Sequence, residues 1–322
     1  MKDDINCLVC SNNNWELLGK TQYLKSDVYW NDSEFLHRKH IFFDIWHNGA
    51  SKVELKRFVC KNCGLVIDLP RPSDENISDK YNYMVENRKK VIKRSIESIS
   101  SLKKEYKESL EIIKTIKSFF KKRKLEILDF GGRDGHMLSP MQKMGHKCYL
   151  VDYYKNPVIG VNRLGNNLDD IPENLKFDLI ICRHVIEHLS DPRSQINKFK
   201  PFLKKDGLIY AVVPIDMINR KNPHKDPVTH INFFQEDSLR ILFESAGFKT
   251  IFSKSKKSTY HGNFRITARL LAKIDKDVKV NYKGSYEKTF YYLKPNLLTK
   301  FKLYSFKSIL KVLYIKNKNL IM

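Results

Sequence analysis

The sequence lacks long apolar runs. No stretch of its 322 residues reaches the roughly 18 uncharged apolar residues that a membrane-spanning helix needs. The first residues, Met1 to Asp4, also lack the apolar segment of a secretory signal. Hydrophobic residues nevertheless make up 42% of the chain, which is enough to exclude a mainly disordered protein. We therefore expect a globular, cytoplasmic protein.

Acidic side chains are scarce. The chain has 36 Asp and Glu against 59 Lys and Arg, a formal net charge of +23, and only 14 of the basic residues are Arg. Sequence-specific contact with nucleic acid favours arginine, because its planar group makes bidentate hydrogen bonds. A lysine-rich balance instead predicts a general attraction to anions, so nucleic acid is the less favoured partner.

Cysteine is sparse as well, but four of the six cysteines form two Cys-x-x-Cys pairs. Cys7 and Cys10 make the first pair, and Cys60 and Cys63 follow after 49 intervening residues. Two such pairs can supply four thiolates to one tetrahedral Zn²⁺ ion, and a closed thiolate shell is typical of a structural site. We predict a zinc-ribbon module over residues 1–72, with two disulfides or four free thiols as the alternative.

The middle of the chain divides into two segments. Residues 73–123 carry apolar side chains at three- and four-residue spacing without internal Gly or Pro, which predicts a helical linker. Residues 124–271 alternate short apolar runs with helical patterns, which predicts an α/β domain with a parallel sheet. Strands are expected at 125–130, 146–151, 177–182, 207–213, 248–252 and 264–268, and a helix at 236–246.

Residues 272–322 form a basic C-terminal segment with 12 Lys and three acidic residues. Between Leu298 and Leu313, apolar side chains fall on one side of a helical pattern and lysines on the other. A helix of this kind binds anionic membrane surfaces, so a peripheral position at the inner membrane surface is one expectation. The alternative is a terminal helix that packs on the protein's own core.

A glycine-rich turn follows the first predicted strand of the α/β segment. Asp129, Gly131, Gly132 and Gly135 stand at the end of this strand, and Asp152 ends the second one. Glycine lets backbone approach a ligand closely, and the second acid can accept hydrogen bonds from ribose hydroxyls. Positions 133 and 136 lack the glycines of a dinucleotide fingerprint, so NAD is disfavoured.

Taken together, these motifs resemble class I S-adenosylmethionine (SAM)-dependent methyltransferases. Residues 127–135 are similar to the family's first motif, residues 177–189 to its fourth-strand motif, and residues 230–248 to a later segment. The four-cysteine module is similar to that of a branch that includes sugar methyltransferases. The resemblance implies a doubly wound, Rossmann-like sheet of seven strands with SAM bound over the ends of its first strands.

The resemblance also implies individual cofactor contacts. Asp152 corresponds to the ribose-binding acid, and Asp169 lies near the expected adenine position. Arg183 is assigned to the cofactor site and is also expected to attract an anionic acceptor. Arg133 stands where the family usually has glycine, which motivates the alternative of a SAM-fold binding module without turnover.

A histidine-rich segment supplies the predicted catalytic residues. His184, Glu187 and His188 follow the end of a strand, where open α/β sheets bind ligands, and His230 comes later. Methyl transfer to oxygen requires in-line alignment and removal of one proton, for which histidine is suited near neutral pH. His184 is the first choice as base and His230 the second. A second divalent metal held by these four residues, and a structural role for Glu187 and His188, remain as alternatives.

The sequence therefore predicts SAM-dependent O-methylation of a sugar, sugar nucleotide or surface-polysaccharide precursor. The acceptor is expected to be a small molecule or glycan, of anionic character, under a polar lid that includes residues 223–226. An RNA methyltransferase is the runner-up. Against it stands the lack of an Asn/Asp-Pro-Pro-Tyr-type segment, since residues 213–216 read Val-Pro-Ile-Asp.

Overall fold

The computed structural model describes residues 5–32, 35–87, 99–120, 124–218, 227–260 and 263–293, which contain two β-sheets. The strands are β1 (Trp15–Leu24), β2 (Lys52–Cys60), β3 (Val66–Leu69), β4 (Glu126–Phe130), β5 (Lys147–Val151), β6 (Asn162–Gly165), β7 (Phe177–Arg183), β8 (Leu203–Pro214), β9 (Asn232–Phe233), β10 (Phe248–Tyr260) and β11 (Asn263–Ile274). The α-helices are α1 (Leu36–Lys39), α2 (Asp74–Glu86), α3 (Ile99–Ile116), α4 (Ser139–Lys143), α5 (Pro192–Lys198), α6 (Glu236–Ser245) and α7 (Ser285–Leu293).

The larger sheet has seven strands in the order β10-β11-β8-β7-β4-β5-β6. Strands β4 to β8 pair in parallel, and β11 lies antiparallel between β8 and β10. Apolar side chains of β7 alternate between the faces: Leu179 packs with residues of α3 and α4, and Ile180 with residues of α5 and α6. Burial on both faces explains the continuous apolar run of this strand. The predicted seven-stranded, doubly wound fold is confirmed.

The final pair of strands is longer than predicted. β10 and β11 pair along nearly their full length and extend well past the expected ends at 252 and 268. β10 is an edge strand, and its outer half is rich in polar residues such as Lys254, Ser255 and Lys257. An edge strand tolerates such residues because one side faces water. A prediction from the apolar residues alone therefore makes β10 too short.

The smaller sheet joins the N-terminal cysteine module to the α/β segment. Its order is β1-β2-β3-β9, with antiparallel pairing throughout. Val66 and Ile67 of β3 pair with Phe233 and Asn232 of β9. A strand of the α/β segment therefore completes the sheet of the module. The predicted segment boundaries at 72, 123 and 271 stay predictions.

Helix α7 packs against the second cysteine pair. The Thr289 hydroxyl donates to the carbonyl of Gly64 (2.8 Å), and the Gln235 side-chain amide donates to the carbonyl of Ser285 (3.0 Å). Ser285 and Thr289 are both fully buried. The beginning of the predicted tail is therefore built into the fold.

Two sequence predictions lie outside the described residues. One is the amphipathic pattern from Leu298 to Leu313, and the other is the lid segment at 223–226. Within the described ranges, none of the helices has the length and apolar character needed to cross a bilayer.

Replacement of Gly64 by alanine tests the contact with α7. Gly64 has φ +73°, and a Cβ there would collide with Thr289 and the backbone of Ser285. We expect Gly64→Ala to lower the free energy of unfolding by about 2 kcal/mol or more, since strain and overpacking add. Gly49→Ala is the matched control, with φ +79° but open space around it, and should cost about 1 kcal/mol. Urea unfolding of metal-saturated protein measures both; equal losses would contradict a tight α7 contact.

Candidate active site

The four paired cysteines converge in space. Their sulfur atoms all lie within 4.8 Å of one another, with 3.5 Å between Cys7 and Cys63 and 3.6 Å between Cys10 and Cys60. A disulfide would need about 2.05 Å, and the four thiols are free. Sulfur atoms about 2.3 Å from a central ion in a tetrahedron lie roughly 3.8 Å apart. The cluster therefore fits one tetrahedral metal ion.

Matching turns present the sulfur atoms of both pairs. The Ser11 N–H donates to the carbonyl of Cys7 (2.8 Å), and the Gly64 N–H donates to the carbonyl of Cys60 (2.9 Å). Ser11 and Gly64 both have positive φ, +60° and +73°, which folds the chain back at each pair. Hydrogen bonds from the neighbouring thiols, first that of Cys60, lower the pKa of Cys10. The thiolate form that binds metal is thus favoured at Cys10, whereas the pKa values of Cys7 and Cys63 are raised.

The glycine-rich turn after β4 lines a cleft of about 120 Å³. A side chain at Gly131, where φ is +72°, would collide with Val185, and one at Gly132 would collide with the carboxylate of Asp129. The turn can therefore pack against Val185 and Asp129 only because both positions are glycine. The cleft is lined by Glu105, Asp129, Gly131, Gly132, Arg133, Asp134, Met137 and Arg183.

Arg133 has a left-handed backbone conformation that is typical of glycine. Its φ is +59°, and its N–H donates to Oδ2 of Asp152 (2.8 Å). Its guanidinium binds the adjacent Asp134 with a shortest contact of 2.8 Å. The departure from the family pattern thus keeps the turn intact.

The two acids of the predicted cofactor site lie on neighbouring strand ends. Asp152 also accepts the N–H of Tyr154 at Oδ1 (2.7 Å), so backbone hydrogen bonds fix both of its carboxylate oxygens. Asp129 is 2% exposed, and burial raises its pKa to about 7 although the charge of Arg183 opposes the shift. Asp129 therefore changes its charge near neutral pH.

The other predicted cofactor residues occupy different places. Gly135, with φ +77°, begins the short 3₁₀ turn after the glycine motif. The guanidinium of Arg183 pairs with Glu108 of α3 at the wall of the cleft. Asp169 lies in an exposed turn after β6 and is not one of the residues that line this cleft. Its assignment to adenine stays a prediction.

Glu187 is the centre of a second cluster. It is 1% exposed, and among the described residues no hydrogen bond reaches either carboxylate oxygen. Its Oε1 lies 3.6 Å from Nδ1 of His184, 3.8 Å from Nε2 of His188 and 3.9 Å from Nε2 of His230. Burial alone would raise the pKa of Glu187, but the three histidines outweigh it and lower that pKa. The structure thus brings all four predicted catalytic residues together.

Hydrogen bonds orient two of the histidines toward Glu187. Nδ1 of His188 donates to the carbonyl of Thr229, and Nδ1 of His230 donates to Oδ2 of Asp216 (2.5 Å). These bonds leave Nε2 of each ring facing the buried carboxylate. Burial lowers the pKa of His188 to about 3, although the charge of Glu187 opposes this shift.

His184 differs from the other two histidines. Its φ is +55°, a strained value for a residue other than glycine, and 41% of its side chain is exposed. No motif in the sequence marks Asp216 as the partner of His230, because the two residues stand 14 positions apart in the connection between β8 and β9. Ligand atoms of Glu187, His188 and His230 lie within 4.8 Å of one another, so this set could hold a divalent metal.

Helix α2 adds an aromatic residue that no sequence motif identifies. The ring of Tyr81 stacks on Tyr153, with 5.3 Å between centroids and 12° between planes. Burial, followed by the charges of Glu187 and Asp152, raises the pKa of Tyr81. The Ser73 side chain begins this helix by accepting the N–H of Asn76 (3.1 Å), which is a signal readable from sequence. The position of Tyr81 against Tyr153 depends on tertiary packing and is not readable in that way.

The sequence was compared with protein families and curated proteins. Residues 100–252 match the family described as a methyltransferase domain. The ubiquinone biosynthesis O-methyltransferase of Rickettsia canadensis is 28% identical over 108 residues, which cover 30% of this chain and 44% of that protein. The tRNA U34 carboxymethyltransferase of Campylobacter fetus is 28% identical over 146 residues, 44% of this chain and 50% of that protein. The chain thus spans half or less of the length of these relatives.

Among solved structures, one similar chain is the 1,6-didemethyltoxoflavin-N1-methyltransferase of Burkholderia thailandensis. The match has a TM-score of 0.50 and 15% identity, and covers 68% of this chain and 96% of that chain. Similarity at this level of identity shows the fold. Together with the family match over residues 100–252, it shows that this part of the chain has the fold of a methyltransferase domain.

The cysteine cluster predicts a metal content that can be measured. We expect about one thiolate-bound ion per chain by elemental analysis. Cys60→Ser should lose this ion during dialysis against a weak chelator, because only three thiolates remain. Cys148→Ser is the control, since Cys148 is equally buried but lies outside the cluster. Equal metal loss in both variants would contradict the assignment.

Proposed function

We propose that the class I methyltransferase domain makes this chain a SAM-dependent methyltransferase that acts on oxygen. The proposed acceptor is a sugar, a sugar nucleotide or a surface-polysaccharide precursor. One observation carries the proposal: the glycine cleft and the histidine cluster adjoin each other at the ends of neighbouring strands β4 and β7. Gly131 of the cleft packs against Val185, which lies two residues before Glu187.

The cleft residues fit SAM. Gly131 and Gly132 line the cleft without side chains, and Asp152 is held where a carboxylate can accept ribose hydroxyls. Asp129 and Glu105 supply negative charge for the amino-acid end and its sulfonium. SAM, when bound, supplies an already activated methyl group, so the protein mainly has to align the acceptor and remove its proton.

His230 is the base in this proposal. Its proton lies on Nδ1 toward Asp216, so Nε2 is available to accept the proton of an acceptor hydroxyl. The buried charge of Glu187, 3.9 Å from Nε2, stabilises the imidazolium that forms. General base catalysis of this kind contributes about 10²- to 10⁴-fold to the rate. His184, exposed and 3.6 Å from Glu187, is the competing base.

A divalent metal is the competing mechanism. The buried carboxylate of Glu187 and the Nε2 atoms of His188 and His230 form a two-histidine, one-carboxylate set. The contacts of Nδ1 with Thr229 and Asp216 are the outer hydrogen bonds that metal-binding histidines require. Such an ion would polarise the acceptor hydroxyl. Turnover that is lost in a chelator while the cysteine-bound ion stays in place would favour this mechanism over the histidine base.

The name of one relative supports oxygen as the methylated atom. The curated relative from Rickettsia canadensis is an O-methyltransferase by name. The cavity beside His230, of about 10 Å³, is too small for an acceptor and does not bear on its identity.

RNA is the second candidate acceptor. The similarity to a tRNA U34 carboxymethyltransferase and the net charge of +23 both favour it. Exposed Lys249, Lys254 and Lys257 along β10 would contact phosphates. Assays with nucleotide sugars and with RNA, run in parallel on the same preparation, separate the two acceptors. A chain that does not bind SAM by calorimetry would contradict both enzyme functions.

Substitutions at His230 test the base. We expect His230→Ala to lower kcat by about 100-fold or more and Asp216→Asn to lower it less, while SAM affinity stays within about twofold. The physical reason is loss of the proton acceptor in one variant and of its orienting partner in the other. Steady-state kinetics with calorimetry gives both quantities. His184→Ala is the matched variant. A larger loss of kcat in His184→Ala than in His230→Ala would assign the role of base to His184.

The raised pKa of Asp129 predicts a proton release on SAM binding. Free protein holds Asp129 protonated below about pH 7, and the positive charges of SAM favour the ionised carboxylate. Affinity should therefore rise with pH up to about 7 and then level off, with release of up to one proton at pH 6. Calorimetry in two buffers of different ionisation enthalpy measures this release. Asp129→Asn should abolish it, and unchanged release in that variant would contradict the assignment.

A further inference from the structure

Arg71 connects the cysteine module to both loops of the histidine cluster. It follows β3, and its guanidinium donates to the carbonyls of Ser190 (3.0 Å), Leu189 (3.3 Å) and Ile231 (3.0 Å). It also donates to the side-chain oxygen of Asn232 (2.9 Å). Four acceptors from two separate loops therefore converge on one side chain.

Asn232 completes the link between the two loops. It is 1% exposed, and its amide donates to the carbonyls of Ile186 (3.2 Å) and Leu189 (2.7 Å). The N–H of Ile231 donates to the carbonyl of Glu187 (3.1 Å). Since His230 directly precedes Ile231, these bonds set the separation of Glu187 and His230.

The second cysteine pair sets the position of Arg71. The N–H of Cys60 donates to the carbonyl of Leu65 (2.9 Å), which closes the turn immediately before β3. Ile67 of β3 then pairs with Asn232 of β9. Leu65 and Ile67 are fully buried, so β3 cannot move without disturbing this packing. The chain from the metal-binding turn to Arg71 is therefore short and packed throughout.

We propose that Arg71 is a positioning residue that fixes the spacing of Glu187 and His230, and that through it the metal content of the cysteine cluster controls methyl transfer. The proposal rests on the proposed function of the histidine cluster. Asp129, Gly131 and Asp152 make none of these contacts with Arg71, so SAM binding is largely independent of it. In this proposal the cysteine module contributes to the geometry of the active site.

Two substitutions of Arg71 are compared with a matched arginine elsewhere. Arg71→Met removes all four hydrogen bonds, and Arg71→Lys keeps the charge but cannot reach all four acceptors. Arg240→Met is the control, because Arg240 is similarly buried and binds Glu244 and the carbonyl of Asn281, away from the cluster. Thermal unfolding of all three variants reports their general loss of stability.

Histidine spectra provide a readout that does not depend on activity. In Arg71→Met, we expect the ring signals of His188 and His230 in ¹H–¹³C NMR spectra to move. We expect kcat to fall by about 100-fold, as for a misplacement of about 1 Å, with the Kd for SAM within about twofold. Arg71→Lys should show smaller changes in the same signals, and Arg240→Met none. Removal of the cysteine-bound ion from wild-type protein by a thiol-compatible chelator should reproduce the Arg71→Met shifts.

Three results would overturn the proposal. The histidine signals could stay unchanged in Arg71→Met, they could shift equally in Arg71→Met and Arg240→Met, or they could stay unchanged when the cysteine-bound ion is removed. If Arg71→Met does not unfold cooperatively, the proposal is tested with Arg71→Lys by the same ring signals of His188 and His230. Wild-type protein that transfers no methyl group to nucleotide sugars or RNA would count against the proposed function alone, since the histidine readout needs no acceptor.

Discussion

A carboxylate that is almost completely buried is the constraint around which this site is arranged. Glu187 has 1% exposure, and burial of an unpaired charge costs several kcal/mol. Three histidines from two loops surround it, and their electrostatic contacts are sufficient to keep its pKa below the ordinary value. The loops must therefore be held at a fixed separation, and the rest of the fold can be understood from what holds them.

The loops are held from outside the seven-stranded sheet. The parallel strands place residues 184–188 at the end of β7, but His230 comes after β8 and depends on β9 for its position. β9 belongs to the sheet of the cysteine module, where its partner is β3. Arg71 then ties this strand to the segment after Glu187. The four-cysteine module therefore supports the geometry of residues more than a hundred positions away in sequence. The Arg71–Asn232 hydrogen bond alone joins residues 161 positions apart.

These distances explain what could be predicted from the sequence and what could not. The parallel sheet follows from apolar runs between turn residues, the cysteine cluster from two short motifs, and the group His184, Glu187 and His188 from their adjacency in one loop. Arg71 and Tyr81 contact partners from distant segments, and Asp216 contacts a histidine 14 positions away, so nothing in their local sequence marks them. Local patterns determine elements, whereas the partners of a buried polar group depend on how those elements pack.

Arg133 shows how the two kinds of information combine. From sequence alone, arginine in place of the family glycine was the motive for a fold that binds SAM without turnover. In the structure this residue takes the left-handed φ of a glycine, at a cost of about 1 kcal/mol, while its N–H binds Asp152 and its guanidinium turns to Asp134. The turn and the predicted ribose-binding acid, Asp152, are thus held together, because the N–H that the strained backbone presents fixes the carboxylate. The substitution is therefore compatible with the predicted cofactor site.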